Sequence, residues 1–244
     1  MRIAGRVALF VGLTLLTQVG GFVWLLARGR FWLFGVLYVA VWGLVQVAAP
    51  LAGRVALPCA EGVLRMQSVA YCVLLRNFVA PELAEVAQTA AEGVAKAHPG
   101  TLTLALDGGF PFLDGFPLIP HLSHDDGEKL DFAFYYAMDG AYQPGRTASP
   151  IGYFAFETLD APDPCPPTWL TMRWNMGFFR PFLRPLDLEP ERTTALIRAV
   201  LADTRVSKVF VEPSLAARLG LANDRLRFQG CRAARHDDHI HIQL

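Results

Sequence analysis

Hydrophobic residues follow two regimes along this chain. Residues 8–27 and 31–53 contain no charged side chain, and only Arg28-Gly29-Arg30 separates the two runs. A helix that crosses a bilayer needs about 20 mostly apolar residues, so each run qualifies. The pattern predicts a transmembrane helical hairpin whose outer ends lie on the same side. A cleaved signal peptide is the competing reading of the first run, because Arg2 and Arg6 precede an apolar core. The length of that core, the lack of a clear small-x-small site before Arg28, and the second run directly behind it favour two retained spans.

From residue 58 onward the apolar segments are shorter and periodic. Residues 64–79, interrupted by Arg65, Gln67 and Arg76, predict an amphipathic juxtamembrane helix. Residues 81–98 predict a firmer one, with Pro81 in its first turn, an alanine-rich body and Pro99-Gly100 as the stop. Residues 101–106 alternate as a strand and 107–109 turn, while 110–121 hold prolines that predict an irregular connection. A strand over 130–136 carries Asp131. The 140–149 segment is turn-rich, and 160–167 is a proline-rich loop. A helix over 189–203, a strand over 208–211, a helix over 213–221 and an alternating strand over 239–244 complete the reading. Helices mixed with separate short strands predict an α+β fold rather than a βαβ series. The chain divides into a two-span membrane anchor (1–57), a juxtamembrane and helical linker region (58–100) and a domain (101–244).

Composition sharpens this division. Of 244 residues, 53% are hydrophobic and 18% charged, with 22 basic against 22 acidic residues and a pI near 7.0. That balance removes any global electrostatic case for nucleic-acid binding. It is also a sum of unlike parts. Up to Ala60 the only charged residues are Arg2, Arg6, Arg28, Arg30 and Arg54, and all the acid follows. The arginines give conflicting orientations: Arg2 and Arg6 favour a cytoplasmic start, Arg28 and Arg30 a cytoplasmic loop. Cys59, Cys72, Cys165 and Cys231 lack the spacing of a zinc knuckle or a redox CxxC. Two disulfides outside the cytoplasm and four core thiols both remain open.

Candidate chemistry lies in the histidines. Five of the six fall in two clusters, His121 and His124, then His236, His239 and His241. On a strand His239 and His241 share a face, with Ile240 and Ile242 opposite. His236 lies one short turn upstream, and Asp237 and Asp238 are candidate acceptors that would orient the imidazoles. In the first cluster Gly127 permits a tight return of the chain, after which Asp131 enters an apolar strand. A carboxylate there needs a partner or a metal to offset burial. Singly, the clusters read as a solvated terminal strand and an acidic turn. Together they supply a set of two histidines and one carboxylate that leaves a fourth position open, as catalytic zinc does.

The two patterns, HxxGxxxD at His124, Gly127 and Asp131 and HxxHxH at His236, His239 and His241, resemble those of the LAS-type zinc metallopeptidases. That group includes the penicillin-insensitive murein endopeptidases, the D-Ala-D-Ala dipeptidases and carboxypeptidases, and the Hedgehog-type signalling domains. His236-Asp237-Asp238-His239-Ile240-His241 is most similar to the murein endopeptidase branch, and Val209-Phe210-Val211-Glu212-Pro213 before a helix is also similar. The resemblance spans roughly residues 102–244. It implies a small antiparallel-sheet zinc peptidase domain with flanking helices, preceded by the membrane hairpin. It implies Zn2+ on His124, Asp131 and His241, with His239 as catalytic base or transition-state stabiliser and His236 assisting. The implied substrate is the peptide of bacterial peptidoglycan, cut by an endopeptidase or, alternatively, by a D,D- or L,D-carboxypeptidase or dipeptidase.

On this resemblance the protein sits in the bacterial inner membrane with the domain facing the periplasm or cell exterior. That orientation places the Arg28/Arg30 loop inside and leaves room for a Cys165–Cys231 bridge. The partners are peptidoglycan peptides and the lipid bilayer, with no nucleic acid; oligomeric state is not determined. A catalytically inactive, zinc-stabilised, membrane-tethered binding domain is the rival, and the His239/His236 pair weighs against it. Two positions depart from the family pattern. Asp126 replaces the small or hydroxyl residue often found before the glycine, and Gln243 replaces an arginine common after the final HxH. Trp169, Trp174, Tyr153 and Phe154 are groove candidates for which core packing is the commoner role, and Glu157 is a candidate substrate contact.

Overall fold

A computed structural model describes residues 2–244. The first apolar run does not form one helix. It forms α1 (Arg2–Thr17) and α2 (Gly20–Leu26), and α2 folds back along α1. The polar residues inside the run make the break. Thr14 and Thr17 donate their hydroxyls to carbonyls one turn earlier, Thr17 Oγ1 accepts the Gly20 N–H at 2.8 Å, and Gln18 takes a positive φ of 64°. The two glycines allow the close approach, since a β-carbon at Gly21 would lie 2.6 Å from the Phe10 carbonyl. A two-span hairpin is therefore replaced by a short helical pair followed by α3 (Phe31–Ala48). Among the described residues one helix, Phe31–Ala52 including a final 3-10 turn, is long and apolar enough to cross a membrane.

The chain then makes β1 (Val55–Ala56), β2 (Leu64–Met66), the short α4 (Val69–Val73), β3 (Phe78–Val79), α5 (Pro81–Ala97) and β4 (Thr103–Ala105). The long helix expected over residues 64–79 is thus a strand, a single capped helical turn and a second strand. Arg76 and Gln67 interrupt the apolar pattern because they turn inward to bond (below). After a loop come β5 (Lys129–Ala133), β6 (Tyr136–Met138) and β7 (Ala141–Tyr142). A 3-10 helix (Gly177–Phe182) precedes β8 (Asp187–Leu188), α6 (Pro190–Ala202), β9 (Lys208–Phe210), α7 (Pro213–Arg218), β10 (Leu226–Arg227) and β11 (His239–Gln243).

The fold is mixed α+β. Its main sheet runs β10-β9-β11-β5-β4-β2, antiparallel through the centre, with parallel pairs at both edges. Two small antiparallel sheets, β1-β3 and β7-β6-β8, flank it. Residues 58–100 are not a separate linker, because β2 is an edge strand of the main sheet and α5 packs against α6 in the same core. The period of two in β11 and β5 divides the sheet. Ile240, Ile242, Leu130 and Phe132 are fully buried against the helices, each stabilising the fold by about 1.5–3 kcal/mol. His239, His241 and Asp131 point to the opposite face, and the register pairs His241 directly with Asp131.

Cys59–Cys72 and Cys165–Cys231 are both disulfides, which decides the open question of four thiols against two bridges. The first ties the segment before β2 to α4. The second closes the long excursion between β7 and β8 onto the loop before β11.

Candidate metal centre

His124, Asp131 and His241 converge. His124 Nε2 lies 3.1 Å from His241 Nδ1 and 3.3 Å from Asp131 Oδ1, and His241 Nδ1 lies 2.8 Å from the same oxygen. The two edges from His124 are close to the roughly 3.3 Å expected between ligands of a tetrahedral ion with bonds of about 2.0–2.1 Å, and the 2.8 Å edge between His241 and Asp131 is shorter, at hydrogen-bond length. All three residues are buried, and the cluster could hold a metal ion.

The surrounding chain leaves His124 Nε2 as an acceptor. His124 Nδ1–H donates to the Gly108 carbonyl at 2.8 Å, which leaves the Nε2 lone pair facing the cluster. Gly127 has φ of 77°, and a β-carbon there would run into the Arg54 guanidinium. That guanidinium bonds the Asp126 carbonyl and the Asp114 carboxylate, so it clamps the loop that delivers His124.

His239 stands beside the cluster without joining it. Its Nδ1 is 2.5 Å from Asp238 Oδ1, which aims Nε2 at Asp131 Oδ1 across 3.8 Å. Burial alone would depress this imidazole's pKa, but the Asp238 and Asp131 carboxylates outweigh it and push the value up to about 9. His236 is opposite in character. Burial, followed by repulsion from His239 and His241, holds it neutral well below the usual histidine range. Its ring lies 4.8 Å from that of His239, and its backbone N–H donates to Glu212 Oε1 at 3.2 Å. For His241 burial also dominates and lowers the pKa to about 4. Burial opposes ionisation of Asp131, yet His124 and His239 keep it well below the carboxylate range.

Four further residues belong to this centre. Tyr153 Oη donates to Asp131 Oδ2 at 2.8 Å and accepts the Asp107 N–H at 3.1 Å. Burial and the two carboxylates raise the Tyr153 pKa far above normal, so it stays a phenol. Asp107, almost fully buried, takes a two-pronged contact from Arg76 at 2.6 and 2.9 Å. Its Oδ2 also lies 2.9 Å from His121 Nδ1. The sequence shows only a turn at 107–109 and no role for Arg76, and it offers Tyr153 as a groove candidate for which core packing is the commoner role. No local spacing links residues 76, 107, 121 and 153.

Two adjoining clefts border the centre, reaching His121, Tyr153 and His239 but none of His124, Asp131 and His241. One, of about 130 Å³, is walled by Phe156, Met172, Trp174 and Met176, with His239 on its floor. The other, of about 320 Å³, runs from His121 and Tyr153 towards α4. They share Pro120, His121, Tyr153 and Phe154. Trp174 is a cleft wall rather than core, Trp169 is 90% exposed, and Phe154 is half-buried with φ of 70°. Asp238 serves His239 as expected, whereas Asp237 bonds Arg235 and Thr158. Glu157 pairs with Arg218 at 3.2 Å and does not line either cleft.

No protein-family model matches this chain, and no curated protein matches it. What the centre can do follows from its own atoms.

Proposed function

We propose that the protein is a zinc-dependent peptidase that hydrolyses amide bonds in bacterial peptidoglycan peptides, acting as an endopeptidase. The observation that carries metal-dependent hydrolysis is the buried triangle of His124 Nε2, Asp131 Oδ1 and His241 Nδ1 with the unligated His239 Nε2 aimed at it, and the peptidoglycan substrate rests on the resemblance of the HxxGxxxD and HxxHxH patterns. Two imidazoles and one carboxylate suit zinc and leave a position open, whereas oxygen-seeking Mg2+ and Ca2+ prefer all-oxygen sets. When bound, zinc supplies polarisation of a scissile carbonyl and acidifies water.

The chain's own residues do the rest. Asp238 holds the His239 ring so that Nε2 faces the cleft, where its raised pKa suits it to stabilise an oxyanion and to give a proton to the leaving amine. His236 stays neutral and backs that ring. Tyr153 holds the second oxygen of Asp131, leaving the first for the metal. The Trp174 and Met172 wall excludes water from one arm of a bound peptide.

The N-terminal helices support a domain outside the cytoplasm. Because α2 folds back on α1, Arg6 and Arg28 line the same groove at one end of the helical segment. The two arginine pairs therefore no longer oppose each other; both favour that end as the cytoplasmic one. Two disulfides fit an oxidising compartment on the other side.

Metal analysis coupled to digestion of purified peptidoglycan tests the proposal. One zinc per chain and new peptide ends from cross-linked muropeptides are expected. Release of only terminal residues would make it a carboxypeptidase, and a folded, zinc-loaded protein inert on every muropeptide would make it a binding domain.

A further inference from the structure

The larger cleft opens at the depth of the membrane helix. Tyr38 Oη of α3 donates to the Val73 carbonyl at 2.7 Å, and Trp42 Nε1 donates to the Cys72 carbonyl at 2.8 Å. These two residues lie about 10 and 16 Å along α3 from Phe31 at ~1.5 Å per residue, beside the middle of the spanning helix and not beyond its end. α4 is thus held alongside the hydrophobic stretch. Ala70, Tyr71 and Leu74, on or just after α4, line the cleft, and its rim carries Ile119 and Ile151.

The surface around this mouth is unusually apolar for an exposed one. Val69 and Val73 of α4 are 58% and 49% exposed, and Ile119 and Ile151 are 51% and 42% exposed. Water-facing surfaces seldom group such side chains, whereas a surface in contact with lipid does. Inward the cleft changes character, ending at Arg76, Asp107 and His121 beside the metal centre. It is an amphipathic channel with its greasy end at the bilayer and its polar end at the site.

We infer that this cleft binds the hydrocarbon chain of a membrane amphiphile, which enters beside α3 and α4 with its polar head towards His121. The binding rests on α3 lying in a bilayer. The consequence for catalysis rests also on the peptidase reading, and is that peptidoglycan peptides carried on a membrane-attached chain reach the site as well as those of the wall. Arg76 holds the inner end of the channel open, since its Nη1 donates to the Ile119 carbonyl at 3.0 Å and fixes the 119–121 loop.

The test uses the full chain in nanodiscs containing a phospholipid with a diazirine at mid-chain. After illumination, cross-links are expected on cleft residues 70–74, 119 and 151 as well as on the outer faces of α1–α3. Ala70→Trp fills the mouth from an exposed position and should cut the cleft cross-links by at least about tenfold, as loss of several buried methylenes requires. The helix cross-links should not change. Ala70→Asp, which blocks nothing but places a charge in the apolar mouth, should act the same way. Cross-links confined to α1–α3, or cleft cross-links indifferent to both variants, would overturn the inference. Chelation of the metal should leave the labelling unchanged, so a failure of the peptidase reading and a failure of this one are told apart.

Discussion

Two buried carboxylates lie side by side beneath the clefts, and the chain neutralises them by different means. Asp107 faces Arg76, whose guanidinium keeps its charge at any relevant pH. Asp131 faces only imidazoles and a phenol; among the described residues no lysine or arginine pairs with it. Tyr153 touches both, at 2.8 Å for Asp131 and 3.4 Å for Asp107. A buried charge must be balanced. At Asp107 the balance is built into the fold, whereas at Asp131 it must be brought in, as protons on histidine or as a metal ion. The first region is a structural clamp and the second an exchangeable site.

The strongest way to break this contrast is Asp131→Asn. Outer partners of metal ligands alone change affinity by about 10–100-fold, so loss of the ligand charge should weaken zinc binding by more than about a hundredfold. Zinc content after dialysis against a buffered metal solution measures it, and a fully loaded variant would refute the assignment. His239→Ala comes next. Turnover of muropeptides should fall by about 10²–10⁴, the range for a lost general acid–base group, with zinc content unchanged. Loss of metal in this variant would make His239 a ligand.

Arg76→Met probes the clamp. It strands Asp107 as a buried charge and should cost about 3–5 kcal/mol of stability in denaturant titration, without lowering zinc stoichiometry. Adding Asp107→Asn should return part of that loss, because the stranded charge goes with it. The smallest effect concerns acid. Burial disfavours the Asp107 carboxylate, but His121 and Arg76 more than offset this and depress its pKa. A group with a depressed folded pKa contributes stability that is complete above the ordinary aspartate value near 3.9 and is lost as pH falls through the folded one. The Asp107→Asn variant should therefore show a shallower fall in stability below about pH 4 than the parent chain. Equal acid limbs would show that the pair does not shift that titration.

Much of the element order was legible. The helices α5 and α6 begin at prolines and end near their expected stops, because caps and breakers act over a few residues. The HxH alternation placed His239 and His241 on one face for the same local reason. What failed was the treatment of polar residues inside apolar stretches. Thr14, Thr17 and Gln18 read as minor interruptions of a span, yet they form a turn, with Gln18 Oε1 accepting the Phe112 N–H at 3.0 Å. Gln67 and Arg76 read as the wet face of a helix, yet Gln67 bonds Thr147 and Arg76 bonds Asp107. For Gln18, Gln67 and Arg76 the partner lies tens of residues away, and hydrophobic periodicity has no access to it.

By itself the sequence determined which side chains could hold a metal ion, that His239 and His241 share one face of the last strand, and which stretches of the chain are apolar. These properties depend on residue type and on spacing within one element. Only the tertiary structure decided that Asp131 sits opposite His241, that Asp107, Arg76 and Tyr153 belong to the same centre, and that the two arginine pairs share one end. It also decided that the apolar cleft opens beside α3. Those outcomes come from strand register, a helical reversal and docking of distant segments, where long-range packing and the need to satisfy buried polar groups choose among local alternatives of similar energy.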